Sequence, residues 1–315
     1  MIKKIALVLV LAMALTGCTG NVELDKPYDK ASSPASELLS ERLTPFAADL
    51  CVINTGTMND GGVNAYAYGY FDINGEEVLS CDNLFERVYP ASTTKIMTCL
   101  LALEGANLEE EVSIGDAVKI DVSGSSMSGL KTGDRLKMKE LLYALMVPSG
   151  NDAAASIAVH MAGSEEKFAE LMTKRAHELG ATHTNFTNPH GLPDENHYTT
   201  VYDMYLIFNE ALKHDEFMEI SSTPVYETEV YNETAGTSRK VTWKCGNGFY
   251  KGDFSLPEGI TYIAGKTGHT NAAGFCLCLG EADERGNRYI SIVMKSPTYE
   301  DLYGGMINLA RKALV

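Results

Sequence analysis

Apolar positions along the 315 residues follow three different periods. Ile5 to Leu15 is an unbroken apolar run behind Lys3 and Lys4. That is the pattern of a secretory leader, and it is too short for a spanning helix. From Ala91 to Glu104 there is no glycine or proline, and Ile96, Leu100 and Leu103 recur at spacings of four and three. This predicts a helix with one apolar side, opened by Pro90 and stopped by Gly105. Lys139 to Val147 predicts a second amphipathic helix, broken by Pro148. Ile260–Ala264 and Gly274–Leu279 are rich in β-branched, aromatic or apolar residues and read as strands.

The coarse order is two strands, a helix from Ala91, helical material to about His214, three strand-like runs, and a last helix from about Tyr299 to Leu314. The ends of the chain thus supply a sheet and the middle supplies helices. The expected class is α+β, an α/β sandwich in which an antiparallel sheet is flanked by helices, with an inserted all-helical lobe over approximately 106–215.

Three short motifs carry candidate chemistry. In Ser92-Thr93-Thr94-Lys95 the serine and lysine are three apart, so a helix places them on one face. Serine becomes a useful nucleophile only when a base takes its proton, and lysine serves only when neutral. Burial and a second nearby cation both lower a lysine pKa; Lys266 is the candidate cation. The spacing is common in helices, and the other two motifs give it weight. Ser149-Gly150-Asn151 follows the break at Pro148 and reads as a loop between helices. There Ser149 can relay a proton and Asn151 can hold Lys95 and meet a substrate amide. By itself the same segment would read as a helix cap.

Lys-Thr-Gly occurs at 131–133 and at 266–268. The first copy lies in a turn-rich segment and reads as a connector. The second lies between strand-like runs, where Lys266 and Thr267 can bind a carboxylate and Gly268 lets the backbone approach a ligand.

Together these residues resemble the penicillin-binding D-alanyl-D-alanine carboxypeptidases, serine peptidases of the bacterial cell wall with a β-lactamase/transpeptidase-like fold. Four segments carry the likeness: Tyr89 to Lys95, Pro148 to Ala153, Asn188-Pro189-His190-Gly191-Leu192 with His197 to Thr200, and Gly265 to Thr270. It runs from about Cys51 to the C-terminus. The resemblance implies Ser92 as acylated nucleophile, Lys95 as base, Ser149 and Asn151 as relay and positioning pair, and Lys266 and Thr267 on the substrate carboxylate. It also implies an oxyanion hole from the N–H groups of Ser92 and His269, with the His269 ring incidental.

The Glu-x-x-Leu-Asn segment of fast-hydrolysing β-lactamases does not occur between Asn151 and Lys266. Slow release of a penicillin is therefore expected. The implied substrate is a peptidoglycan stem peptide ending in D-Ala-D-Ala, with β-lactams as acylating inhibitors. A D,D-endopeptidase, a weak β-lactamase and a non-catalytic penicillin-binding wall sensor are the competing readings.

Leu15-Thr16-Gly17-Cys18 resembles a bacterial lipobox. Residues 1–17 would then be a lipoprotein signal peptide, Cys18 the lipidated residue, 18–44 a polar tether, and 45–315 the peptidase domain. This implies an exported protein held by lipid to the outer face of the cell membrane. Many relatives add a β-rich C-terminal domain and an amphipathic anchor; with Val315 following the last helix, the lipid is expected to replace that anchor.

The formal charge of −16 argues against nucleic acid or anionic lipid as a partner. Beyond Cys18, Cys51, Cys81, Cys99, Cys245, Cys276 and Cys278 permit disulfides in an exported chain. Cys99 lies in a helix and two others alternate on one strand, so buried free thiols are at least as good an expectation as disulfides, and the sequence leaves the choice open. Neither Cys-x-x-Cys nor His-Glu-x-x-His occurs, so no metal and no cofactor is expected.

Overall fold

The computed structural model describes residues 50–53, 62–120 and 122–314. Cys18, the leader and the tether lie outside the described residues. Among the described residues no helix is long and apolar enough to cross a membrane.

A six-stranded sheet is built from β1 (Val52–Ile53), β2 (Ala67–Asp72), β3 (Glu77–Asp82), β8 (Ile260–Thr270), β9 (Gly274–Asp283) and β10 (Arg288–Ser296), in the order β1-β3-β2-β10-β9-β8. Every pairing is antiparallel except β1 with β3. Both faces are covered, which explains the near-continuous apolar runs. Along β9, Cys276 and Cys278 enter a core against the helical lobe, while Leu277 and Leu279 enter a second core against the last helix, α8 (Tyr299–Ala310). β8 is an edge strand, and its outer side faces the cleft described below.

The lobe contains α1 (Lys95–Gly105), α2 (Met138–Met146), α3 (Asn151–Ala162), α4 (Glu165–Glu178), α5 (Val201–Ala211) and α6 (Asp215–Ser221). α1 is packed by the other five. Its first six residues, Lys95 to Leu100, are all buried, so it is a central helix rather than a one-sided one. The lobe is not all helical. β4 (Glu111–Ser113) and β5 (Asp134–Lys137) pair within it, and β5 continues the pairing to β6 (Val225–Asn232) and β7 (Thr237–Lys244) as a second, four-stranded antiparallel sheet. β6 and β7 turn one face to solvent and bury the other only in part, so polar residues interrupt the apolar pattern and little in the sequence marks these strands. The small sheet braces the cleft wall: Trp243 Nε1 donates to the carbonyl of Ser128 at 2.8 Å. A single turn, α7 (Gly248–Lys251), leads back to β8.

All six described cysteines are free thiols. Cys99 and Cys276 are buried and pushed upward in pKa by burial, the latter to about 12, so both remain protonated packing groups.

Candidate active site

The segment from Ala91 to Thr94 is a 3₁₀ turn, and the α-helix proper starts at Lys95. In 3₁₀ geometry residues three apart eclipse one another. That stacks Ser92 over Lys95 and leaves Lys95 Nζ 2.9 Å from Ser92 Oγ. Lys95 is fully buried and also donates to Asn151 Oδ1 at 2.7 Å and to the carbonyl of His190 at 2.8 Å. Asn151 is the first residue of α3, directly after the Pro148 break.

Ser149 sits in that break with φ of 61°, a left-handed conformation that costs a serine about 1 kcal/mol or more. The strain turns its hydroxyl toward β8, where it accepts from Lys266 Nζ at 2.9 Å. Asp152 holds the opposite wall. Its carboxylate accepts from Ser128 N and Oγ, Gly129 N and Leu130 N at 2.8 to 3.0 Å.

Both lysines are depressed in pKa, to different extents. Burial is the main cause for Lys95, which is pushed well below the usual lysine value; the Lys266 charge adds to this and Asp152 opposes it. Lys266 is lowered to about 8, chiefly by burial. Burial thus biases the Lys95 amine beside Ser92 toward its neutral form, while Lys266 beside Ser149 still carries its charge at neutral pH.

Ser92 opens onto two hollows. One of about 290 Å³ is lined by Ser149, Cys245, Lys266, Thr267 and Tyr299 among others. The other, of about 480 Å³, is lined by Ser126, Asn151, Gly191, Leu192 and Asn271 among others. The His269 ring is exposed, lines both, and rests on Phe275 with ring centres 4.2 Å apart.

Gly268 has a different reason from the expected one. A Cβ there would lie 2.9 Å from Ser92 N and 3.0 Å from Pro90 O, so glycine lets β8 lie on the serine turn itself rather than on a ligand. Gly191 does the same from the other side. Its φ is 87°, and a Cβ would fall 1.8 Å from the carbonyl of Ala91.

All eight domain residues singled out from the sequence, Ser92, Lys95, Ser149, Asn151 and Lys266 to His269, thus meet at one cleft. Lys131-Thr132-Gly133 does not. Lys131 N donates to Asp134 in a turn entering β5, and residues 131–133 line neither hollow. Three contributors were given no role by the sequence, although His190 and Asp152 lie in segments that carry the likeness. His190 acts through a carbonyl that every residue possesses, Cys245 reaches the cleft only through the unforeseen small sheet, and Asp152 read as an ordinary helix-start acid.

Comparison with known proteins agrees with this geometry. Residues 54–298 match the family described as D-alanyl-D-alanine carboxypeptidase, peptidase S11. The chain belongs to that family.

Among its relatives, D-alanyl-D-alanine carboxypeptidase DacF of Bacillus subtilis is 35% identical over 233 residues, 70% of this chain and 55% of the relative. DacB2 of Mycobacterium tuberculosis is 31% identical over 224 residues, 67% of this chain and 70% of the relative. The crystal structure of the Streptomyces K15 DD-transpeptidase superposes with a TM-score of 0.73 at 26% identity, covering 80% of this chain and 97% of that one. The chain spans about 55% of the length of the Bacillus relative and 58% of DacA of Haemophilus influenzae.

Proposed function

We propose that this chain is a serine D-alanyl-D-alanine carboxypeptidase that removes the terminal D-alanine from peptidoglycan stem peptides through an acyl-enzyme on Ser92. The observation that carries this reading is the buried Lys95 amine 2.9 Å from Ser92 Oγ, depressed in pKa and flanked by the Lys266 cation.

The chemistry follows from those positions. Lys266 and Thr267 hold the substrate's terminal carboxylate, which places the preceding peptide carbonyl over Ser92. Lys95 takes the hydroxyl proton as the Oγ–carbon bond forms. Negative charge then develops on the carbonyl oxygen between the N–H groups of Ser92 and His269, a role supported by the close approach of β8 at Gly268. Ser149 passes the proton to the departing amine, the carbon–nitrogen bond breaks, and D-alanine leaves. Water then attacks the ester and Ser92 is regenerated. A β-lactam enters by the same route but leaves no separate amine, so its acyl-enzyme persists.

Water competes at this ester with any amine that reaches it, and the Streptomyces neighbour is named as a transpeptidase. Mass spectrometry of products from a defined pentapeptide and from a cross-linked dimer separates the outcomes. Loss of one alanine from the pentapeptide supports the carboxypeptidase reading. Cleavage confined to the dimer, or transfer to an added amine without hydrolysis, would overturn it.

We infer further that Cys18 is lipidated and tethers the domain to the outer face of the cell membrane through residues 18–44, with the exported domain facing the wall. The support is the basic, apolar and Leu-Thr-Gly-Cys order of residues 3–18. Cys18→Ser should move the protein to the soluble fraction with its activity intact; retention on membranes would contradict this.

A further inference from the structure

Two of the three oxygens around Lys95 Nζ belong to groups that only accept hydrogen bonds: Asn151 Oδ1 at 2.7 Å and the main-chain carbonyl of His190 at 2.8 Å. A neutral amine has two N–H bonds and one lone pair. When both N–H bonds point at these acceptors, the tetrahedral nitrogen turns its lone pair to Ser92 Oγ. The aim of the base therefore depends on where the His190 carbonyl lies.

That carbonyl is held from several directions. Asn188 Oδ1 accepts from Gly191 N at 2.7 Å and from His190 N at 3.3 Å. Leu192 N donates to His190 Nδ1 at 3.2 Å, so Nδ1 is an acceptor and the hydrogen of the neutral ring sits on Nε2. Nε2 in turn lies 3.1 Å from Glu165 Oε2. The ring is 7% exposed, and Glu165 is the first residue of α4, where the helix dipole favours a carboxylate. Burial lowers the His190 pKa against the opposing pull of Glu165, which keeps the imidazole neutral and its tautomer fixed.

We propose that Glu165 and His190 are positioning residues for acylation: the carboxylate fixes the imidazole, the imidazole fixes its own main-chain carbonyl, and the carbonyl aims Lys95 at Ser92. This rests on the Ser92–Lys95 reading above. It gives the Asn188–Leu192 turn a task in the reaction and links the start of α4 to the base.

The test measures penicillin acylation in single turnovers, separating the dissociation constant from the acylation rate constant, alongside thermal melting. Glu165→Ala and His190→Ala should slow the acylation step by about tenfold or more, since a 1 Å misplacement of a reacting group can cost about 10²-fold. Dissociation constant and melting temperature should stay close to wild type. Glu165→Gln keeps an oxygen that accepts the Nε2 hydrogen and should recover most of the rate. If His190→Ala fails to fold, the Glu165 pair alone decides, because that side chain is partly exposed.

Acylation of Glu165→Ala at the wild-type rate would overturn the proposal. So would a Glu165→Gln as slow as the alanine variant, or losses of affinity and stability that match the loss of rate. A wild-type protein that is not acylated at all would instead remove the underlying reading, and this inference with it.

Discussion

Lys266 Nζ donates to Ser149 Oγ across 2.9 Å and so joins the edge strand of the sheet to the bend between two lobe helices. The contact seals one side of the cleft and sets the second cation near Lys95. Because burial holds Lys266 at about 8, its charge is present at neutral pH and lost in mildly alkaline solution.

A carboxylate-binding Lys266 therefore makes substrate binding weaken as pH rises through about 8. KM for a stem pentapeptide should climb between neutral pH and roughly pH 9. Lys266→Arg stays charged and should lack that alkaline limb. Lys131→Ala, in the other Lys-Thr-Gly, should leave KM and kcat unchanged. A wild-type KM flat across the range, or equal losses on removing either lysine, would contradict the assignment.

Lys95→Arg preserves the charge but not the chemistry. A guanidinium stays protonated, so it cannot accept the Ser92 proton. General bases contribute about 10²–10⁴-fold, and the variant should retain less than about a tenth of the acylation rate. Stopped-flow acylation checks this, and a rate near wild type would remove Lys95 from the base role.

The motifs were legible because acyl transfer demands particular side chains at fixed spacings, and Ser92 with Lys95 shows both in the sequence. What the sequence could not show was the work of backbone groups and of distant strands. The His190 carbonyl, the left-handed φ of Ser149 and the crowding at Gly268 depend on how segments meet in space. β6 and β7 were hidden for a simpler reason: one face is open to solvent and the other only partly buried, so neither carries the near-continuous apolar run by which β9 announces itself.

Glu281 offers a stability test away from the cleft. It lies on the sheet face beneath α8 with no exposure; Oε1 accepts from Ser291 Oγ, and the Tyr70 hydroxyl is the other hydrogen-bonding group beside the carboxylate. Burial raises its pKa from 4.5 to about 8. The unfolded chain releases this proton near 4.5 and the folded chain only near 8, so the unfolded state is favoured progressively as pH rises between the two. Glu281→Gln should remove that slope, on the order of a few kcal/mol across the interval. Urea midpoints at the two ends of the range measure it, and an equal wild-type-to-variant difference at both ends would contradict the burial argument.

The most direct test of the account is the site of covalent attachment after brief exposure to a penicillin, read by intact mass and peptide mapping. One penicilloyl group per chain is predicted, on the peptide containing Ser92 and on the Ser92 hydroxyl, and absent from a folded Ser92→Ala variant. An adduct mapped to Ser149 or to any other residue, or one that persists in Ser92→Ala, would contradict the assignment of Ser92 as the nucleophile.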